Sequence, residues 1–90
     1  MYTITDYLDK EKEISKNTGV DVHAMKSKSR RKEICLARHY FWFIAHDKLG
    51  FTYKFIAENY YRDHSTIIEG VKRMRKYAKQ RKGDNNTRFV

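Results

Sequence analysis

The chain has 90 residues, and its 20 Lys and Arg against 11 Asp and Glu give a formal net charge of +9 at pH 7. A chain of this length forms one domain with one small core, which excludes a two-domain enzyme with a separate cofactor module. It contains no long uncharged apolar run, so we expect no membrane span. It has a single cysteine, so we expect no internal disulfide. The positive charge favours a polyanionic partner.

Apolar residues recur at helical spacing along the chain, and no alternating strand pattern interrupts them. The pattern predicts an all-α domain of four to five helices. The first helix is predicted over residues 5–16, before a C-cap-like Gly19. Asp21 can cap a short helical turn, and a long central helix over residues 32–48 is predicted to end before Gly50.

The last part of the chain is predicted to form a helix-turn-helix over about residues 52–81. Thr52 can cap a short helix and, after a tight turn at residues 60–62, Asp63 can cap a longer one. A short helix, a tight turn and a longer helix are typical of this motif.

Basic residues are concentrated after the first quarter of the chain. Residues 1–25 carry a net charge of −2 and residues 26–90 one of +11. One cluster is the segment of residues 26–32, called the basic loop below, and the other begins at Lys72 on the longer helix. Solvated surface is the simpler interpretation of such runs, and an anion-binding surface is the functional one. The predicted organisation is one helical domain over residues 1–82 and a flexible polar tail over residues 83–90.

The residues that open the longer helix carry chemistry suited to reading DNA. In a helix-turn-helix the second helix enters the major groove with its first residues against base edges. Base edges can form hydrogen bonds or van der Waals contacts with guanidinium, carboxylate, imidazole and hydroxyl groups. The candidates for major-groove contacts are Arg62, Asp63, His64, Ser65 and Thr66. Capping the helix is the simpler explanation for Asp63 and Ser65.

Further cations are candidates for the minor groove and the phosphates. A flexible basic segment before a helix can reach into the narrow minor groove of A·T-rich DNA, and Arg30 is our candidate for this role. Phosphate contacts set affinity and register but carry little sequence information. The phosphate candidates are Lys28, Arg31, Arg38, Lys54, Lys72 and Lys76.

Three pieces of sequence occur together: KSKSRRKEICLAR at residues 26–38, a Thr followed by Ile-Ala at residues 52–57, and RDHSTII at residues 62–68. With them, residues 7–79 resemble the C-terminal DNA-binding domain of the bacterial replication initiator family DnaA. The resemblance implies a Trp-repressor-like helix-turn-helix domain that binds double-stranded boxes similar to TTATCCACA in replication initiation or its regulation. It also implies that an Arg of the basic loop reads the minor groove, that an Arg at the start of the central helix holds a phosphate, and that the RDH segment reads the major groove. The aligned residues are Arg30, Arg38 and residues 62–66.

The chain departs from the family pattern at several places. Tyr60 and Tyr61 stand where the family has a Gly-containing pair, and the turn is one residue shorter. Residues 40–43 are aromatic where the family has aliphatic residues, His39 replaces a usual Gln, and His46 replaces a common Lys.

The resemblance also sets what we expect of partners and chemistry. No glycine is followed by Lys-Ser or Lys-Thr as a phosphate loop requires, so we expect no nucleotide, no cofactor and no ATPase. We expect a monomer in the bacterial cytoplasm, chromosomal or phage-encoded, that binds double-stranded DNA at the nucleoid and meets replication proteins there. Either a free-standing module or the DNA-reading end of a longer initiator fits; Met1 and the aromatic residues favour the former.

An enzyme or a metal site is the weakest alternative. Cys35, His39, Trp42 and His46 share one helical stripe, but their spacing matches no structural zinc pattern and makes no nucleophile–base pair. Packing in the core, or exposure of a polar side chain to water, explains these residues better.

Two other classes of binding protein stay open from the sequence. One is a transcription regulator or transposase-type helix-turn-helix protein that reads an unrelated site. The other is a protein-interaction module that docks a partner through exposed aromatic residues, whereas the simpler interpretation is that these residues fill the core. The aromatic residues concerned are Tyr40, Trp42, Tyr60 and Tyr61.

Overall fold

Five α-helices make up the part of the chain described by a computed structural model, which covers residues 2–83 with side chains as far as Tyr77. They are α1 (Ile4–Thr18), α2 (Val22–Lys26), α3 (Lys32–Phe43), α4 (Tyr53–Tyr60) and α5 (His64–Gly83). No strand occurs among the described residues, and the predicted all-α fold is confirmed. Helix α5 extends to Gly83, beyond the predicted end near residue 81 and into the first residue of the tail predicted over residues 83–90; the other residues of that tail lie outside the described residues.

The helix ends follow the predicted capping residues. The side chain of Asp21 accepts a hydrogen bond from the N–H of His23 at 3.0 Å, and that of Thr52 accepts from the N–H of Phe55 at 3.0 Å. Gly19 ends α1 in the left-handed conformation, with φ of 76°. These residue types therefore specify the boundaries locally, before any tertiary contact.

The predicted central helix over residues 32–48 is not uniform. After α3 the chain continues as a π-helical turn, Ile44–Lys48. The N–H of Leu49 then bonds the carbonyl of Ile44 at 3.0 Å. Gly50 closes the element at φ of 81°, as predicted. The wider turn places Phe51 against the core, where its ring centre lies 5.0 Å from that of Tyr7.

Aromatic rings fill much of the core. Tyr7 of α1 is fully buried, and its ring meets those of Phe41 and Phe55 edge to face, each with ring centres 5.0 Å apart. Leu8, next to Tyr7 in the chain, is 41% exposed and lies outside this core. The buried hydrophobic residues are Tyr7, Ile14, Val20, Met25, Ala37, Phe41, Trp42, Ala45, Ile56, Ala57, Tyr60, Ile67 and Val71.

Two buried phenols connect α1 to the end of α4. The hydroxyl of Tyr60 donates to the carboxylate of buried Glu11 at 2.6 Å, and that of Tyr7 donates to the side-chain oxygen of Asn59 at 2.8 Å. Burial and the hydrogen bond to Glu11 raise the pKa of Tyr60. Tyr60 is thus a core residue rather than an exposed aromatic.

Helix α5 packs on α3 at a glycine. A β-carbon built on Gly70 would lie 2.7 Å from Cε3 of Trp42 and 2.9 Å from Cδ2 of His39. Trp42 is fully buried, and its indole N–H has no hydrogen-bond partner among the described residues. Packing therefore holds the indole ring in place without a hydrogen bond, and the absence of a side chain at Gly70 leaves the space that the ring occupies.

We predict that Gly70→Ala lowers the free energy of unfolding by about 1–3 kcal/mol, because the buried indole cannot move aside without disturbing the core. Helix propensity alone would give the opposite sign. Chemical denaturation checks this, with Glu69→Ala on the exposed face as the control, expected within about 0.5 kcal/mol of the wild type. A more stable Gly70→Ala variant would contradict the packing argument.

The turn between α4 and α5 contains an exposed residue in an unfavourable conformation. Tyr61 has φ of 56° and ψ of 46°, which places a residue with a β-carbon in the left-handed region. Its N–H closes α4 by bonding the carbonyls of Ala57 and Glu58, and its side chain is 80% exposed. The turn of this chain is therefore formed without the glycine usual at such positions.

We predict that Tyr61→Gly raises the free energy of unfolding by about 0.5–1 kcal/mol, since glycine adopts this conformation at little steric cost. Tyr61→Ala removes the ring but keeps the β-carbon, so it should stay within about 0.5 kcal/mol of the wild type. Thermal melting of the three proteins provides the measurement. An equal gain in both variants would assign the effect to the exposed ring and not to the backbone.

Candidate nucleic-acid interface

The start of α5 presents the predicted base-reading side chains to solvent. The carbonyl of Asp63 accepts from the N–H groups of Thr66 and Ile67, at 3.1 and 3.3 Å, and so opens the helix. Ile67 is fully buried against the core. The four residues before it, Asp63, His64, Ser65 and Thr66, are all exposed.

One exposed face continues along α5 from these residues. Successive residues of an α-helix turn by about 100°, so Ser65 lies on the side opposite Ile67 and Val71. Lys72 and Lys76 share that exposed side. Glu69, exposed one turn after Ser65, lies there too; it was not among the predicted residues, although its spacing of four from Ser65 places it on the same face.

Arg62 is the one predicted base-reading residue that is already engaged within the protein. Its guanidinium donates to the carbonyl of Tyr60 at 2.7 Å and to that of Ser27 at 2.5 Å. Partial burial, and the neighbouring charge of Arg38, lower the pKa of Arg62. The contact with Ser27 brings the basic loop next to the start of α5.

The basic loop exposes its cations at this same end of the molecule. Lys28, Arg30 and Arg31 are all exposed. The backbone between them is shaped by serine side chains: the N–H of Ser29 donates to Oγ of Ser27, and the N–H of Arg31 donates to Oγ of Ser29, each at 3.2 Å. Arg31 also forms an exposed ion pair with Glu33, with 3.4 Å between the charged atoms. Arg30 and Lys28 lie in positions open to a ligand.

Arg38 differs from its prediction as a phosphate contact. Its side chain is only 5% exposed, and its guanidinium donates to the carbonyls of Met25, Ser27 and Ser29 at 2.7, 3.0 and 3.1 Å. Because the start of α3 packs beneath the basic loop, the guanidinium points into the protein. In this arrangement the residue supports the loop and does not reach a phosphate outside it.

The remaining predicted phosphate contacts are exposed, whereas one further arginine of α5 is paired. Lys54 at the start of α4 and Lys72 and Lys76 on α5 are exposed. Arg75 instead forms a two-pronged pair with Asp47 of the π-helical turn, at 2.6 and 3.0 Å. The hydrogen bond to Arg75 lowers the pKa of Asp47. This pair joins residues 28 apart, so no local pattern indicated it.

The Cys and His residues of α3 and the π-helical turn each have separate surroundings. His39 packs on the Trp42 ring, with ring centres 5.3 Å apart, and its pKa is lowered by burial and by nearby arginines, Arg38 first. His46 stacks on Tyr53 with ring centres 3.9 Å apart. Cys35 is a free thiol beside the Ser29 carbonyl. Among the side chains described, no three His, Cys, Asp or Glu residues group as metal ligands would.

Of the helices in the described part of the chain, none combines the length and apolarity that a membrane crossing requires.

The arrangement of α4, the turn and α5, with an exposed polar start of the second helix, defines a helix-turn-helix of the DNA-binding class. The family model described as the bacterial dnaA protein helix-turn-helix matches residues 11–74. The chain therefore belongs to this family, and the resemblance inferred from the three sequence pieces is confirmed.

A curated relative is consistent with this assignment. Over 56 residues the chain is 32% identical to the chromosomal replication initiator protein DnaA of Pseudothermotoga lettingae. The aligned part is 62% of this chain and 13% of that protein, so the similarity concerns one domain of a much longer initiator. No significant match to a solved structure was found.

Proposed function

We propose that the chain binds double-stranded DNA sequence-specifically, at boxes similar to TTATCCACA, in replication initiation or its regulation. The observation that carries this proposal is the contact between Arg62 and the Ser27 carbonyl. It holds the basic loop beside the exposed start of α5, so that one end of the molecule presents a helix tip and a cationic segment together. The major and minor grooves lie side by side on a duplex, so a helix start and a neighbouring basic segment can enter adjacent grooves.

The proposed roles follow from what each group exposes. His64, Ser65, Thr66 and Asp63 face the major groove at the start of α5, with hydroxyl, imidazole and carboxylate groups that can bond or touch base edges. Arg30, on the exposed loop, enters the minor groove, whose negative potential favours a guanidinium. Arg62 contacts a base with the guanidinium N–H groups that its two carbonyl partners do not occupy. Contacts with the phosphates are proposed for Lys28, Arg31, Lys54, Lys72 and Lys76.

The proposed role of the chain is binding, without a reaction on DNA or nucleotide. The family match concerns the helix-turn-helix alone. We propose that the domain locates a site, as a monomer in the bacterial cytoplasm, and that any remodelling of the duplex is done by other replication proteins.

We predict that the chain binds a duplex containing TTATCCACA more tightly than a scrambled duplex of the same composition. Both affinities should fall steeply with salt, because bound cations release counterions from the phosphates. Fluorescence anisotropy over a salt series measures both affinities. Equal affinities at every salt concentration would contradict box reading, while binding to neither duplex would favour a protein partner. A tight dimer that prefers palindromes would support the regulator alternative.

Two substitutions on the same exposed face of α5 separate base reading from phosphate binding. Ser65→Ala is predicted to reduce affinity for the box by about 1–3 kcal/mol and to change affinity for the scrambled duplex little. Lys76→Ala, about 16 Å further along the helix, should weaken both duplexes alike and reduce the salt slope by about 1. A Ser65→Ala variant that loses affinity for both duplexes equally would assign this residue to the backbone.

A further inference from the structure

The guanidinium of Arg38 is a buried cation whose partners come from one short segment. Nε donates to the Met25 carbonyl, and Nη2 donates to those of Ser27 and Ser29, with all three distances between 2.7 and 3.1 Å. A third nitrogen, Nη1, lies 3.7 Å from the Sγ atom of Cys35. Alternate carbonyls along the end of α2 and the basic loop thus point at one side chain of α3.

This arrangement requires the shape of arginine and not only its charge. A guanidinium presents five N–H donors in a fixed plane, whereas the ammonium of lysine is a single point with three donors. Carbonyls at alternate residues are spread along the chain, and a planar guanidinium can donate hydrogen bonds to several of them at once. A buried charge is also costly unless its donors are satisfied, so these hydrogen bonds hold the loop strongly to α3.

The carbonyl of Ser27 is shared by two arginines. It accepts from Arg38 at 3.0 Å and from Arg62 at 2.5 Å. Helix α3, the basic loop and the turn before α5 therefore meet at one oxygen atom. Any movement of this oxygen changes the position of the loop relative to the start of α5.

We propose that Arg38 is a positioning residue of the DNA interface: by binding the carbonyls of residues 25, 27 and 29, it fixes the exposed loop cations, Arg30 above all, relative to the start of α5. The effect on DNA rests on the proposed function. The anchoring of the basic loop by Arg38 is a property of the protein alone and does not rest on it. Arg38 touches no DNA in this role, and its contribution passes through Arg30.

Limited trypsin digestion tests the anchoring without DNA. In Arg38→Lys the loop should open more often, so cleavage after Lys28, Arg30 and Arg31 should become about tenfold faster, measured by mass spectrometry on protein that is folded by circular dichroism. Arg73→Lys, the same exchange at an exposed position of α5, is the matched control and should leave the rate unchanged. A rate in Arg38→Lys within twofold of the wild type would overturn the proposal. If this variant does not fold, Arg38→Gln, which keeps an uncharged donor, is read in the same way.

A double-mutant comparison with Arg30→Ala tests the effect on DNA. If Arg38 positions Arg30, the fold-loss of box affinity caused by Arg30→Ala should be clearly smaller in the Arg38→Lys background than in the wild type. If the two fold-losses simply multiply, or if Arg38→Lys binds the box as well as the wild type, the positioning role is contradicted, since a direct phosphate contact would tolerate the retained charge. A wild-type chain that does not distinguish box from scrambled DNA would refute the proposed function alone, because the digestion still decides the anchoring.

Discussion

The close contact between the Trp42 ring and Gly70 determines where α5 lies, and the surface of the molecule depends on that position. A helix surface carrying side chains at this point could not approach α3 so closely, because even one β-carbon would fall within 3.0 Å of the ring. The buried side of α5 is thereby set by Ile67, Gly70 and Val71. Ser65 and the residues beside it must then face outward. An aromatic core residue and a glycine 28 positions away in sequence therefore decide which side chains can reach a ligand.

The turn before α5 is held by polar contacts on several sides, which explains how it forms without glycine. The phenol of Tyr60 is bound by Glu11 of α1, while its backbone carbonyl accepts from Arg62. Arg62 in turn bonds the basic loop. Tyr61 lies between these two residues and adopts the left-handed conformation because hydrogen bonds fix the positions of Tyr60 and Arg62. Strain at a single residue persists when the surroundings specify its conformation this completely.

Local signals in the sequence were sufficient for the helices. Thr52, Asp21 and Gly19 act within a few residues of their own positions, so capping chemistry and apolar spacing locate the ends of α1, α2 and α4. The π-helical turn was not predictable, because it differs from an α-helix by one residue in a hydrogen-bonding ladder that side-chain periodicity does not distinguish.

The exposure of a candidate site residue could be predicted where its residue type and position in the motif imply it. It could not be predicted where the side chain bonds a partner distant in sequence. Ser65 and Lys76 lie in the open, as their chemistry and position in the motif suggest. Arg38 looks identical in sequence to a surface cation, yet carbonyls 9 to 13 residues earlier in the chain draw its guanidinium inward. Arg75 is similarly captured by Asp47. Long-range partners of this kind leave no pattern along the chain.

Arg62 shows how these internal contacts limit recognition. Two of the five N–H donors of its guanidinium are bonded to carbonyls, so only the remaining donors are available to a base edge in the proposed complex while the loop keeps its position. Ser65, His64 and Thr66 are solvated before binding and exchange only water. In the proposed recognition of DNA, the contact that aligns the loop with α5 therefore reduces what Arg62 itself can contribute to discrimination, and the first turn of α5 is expected to carry the greater part of base reading.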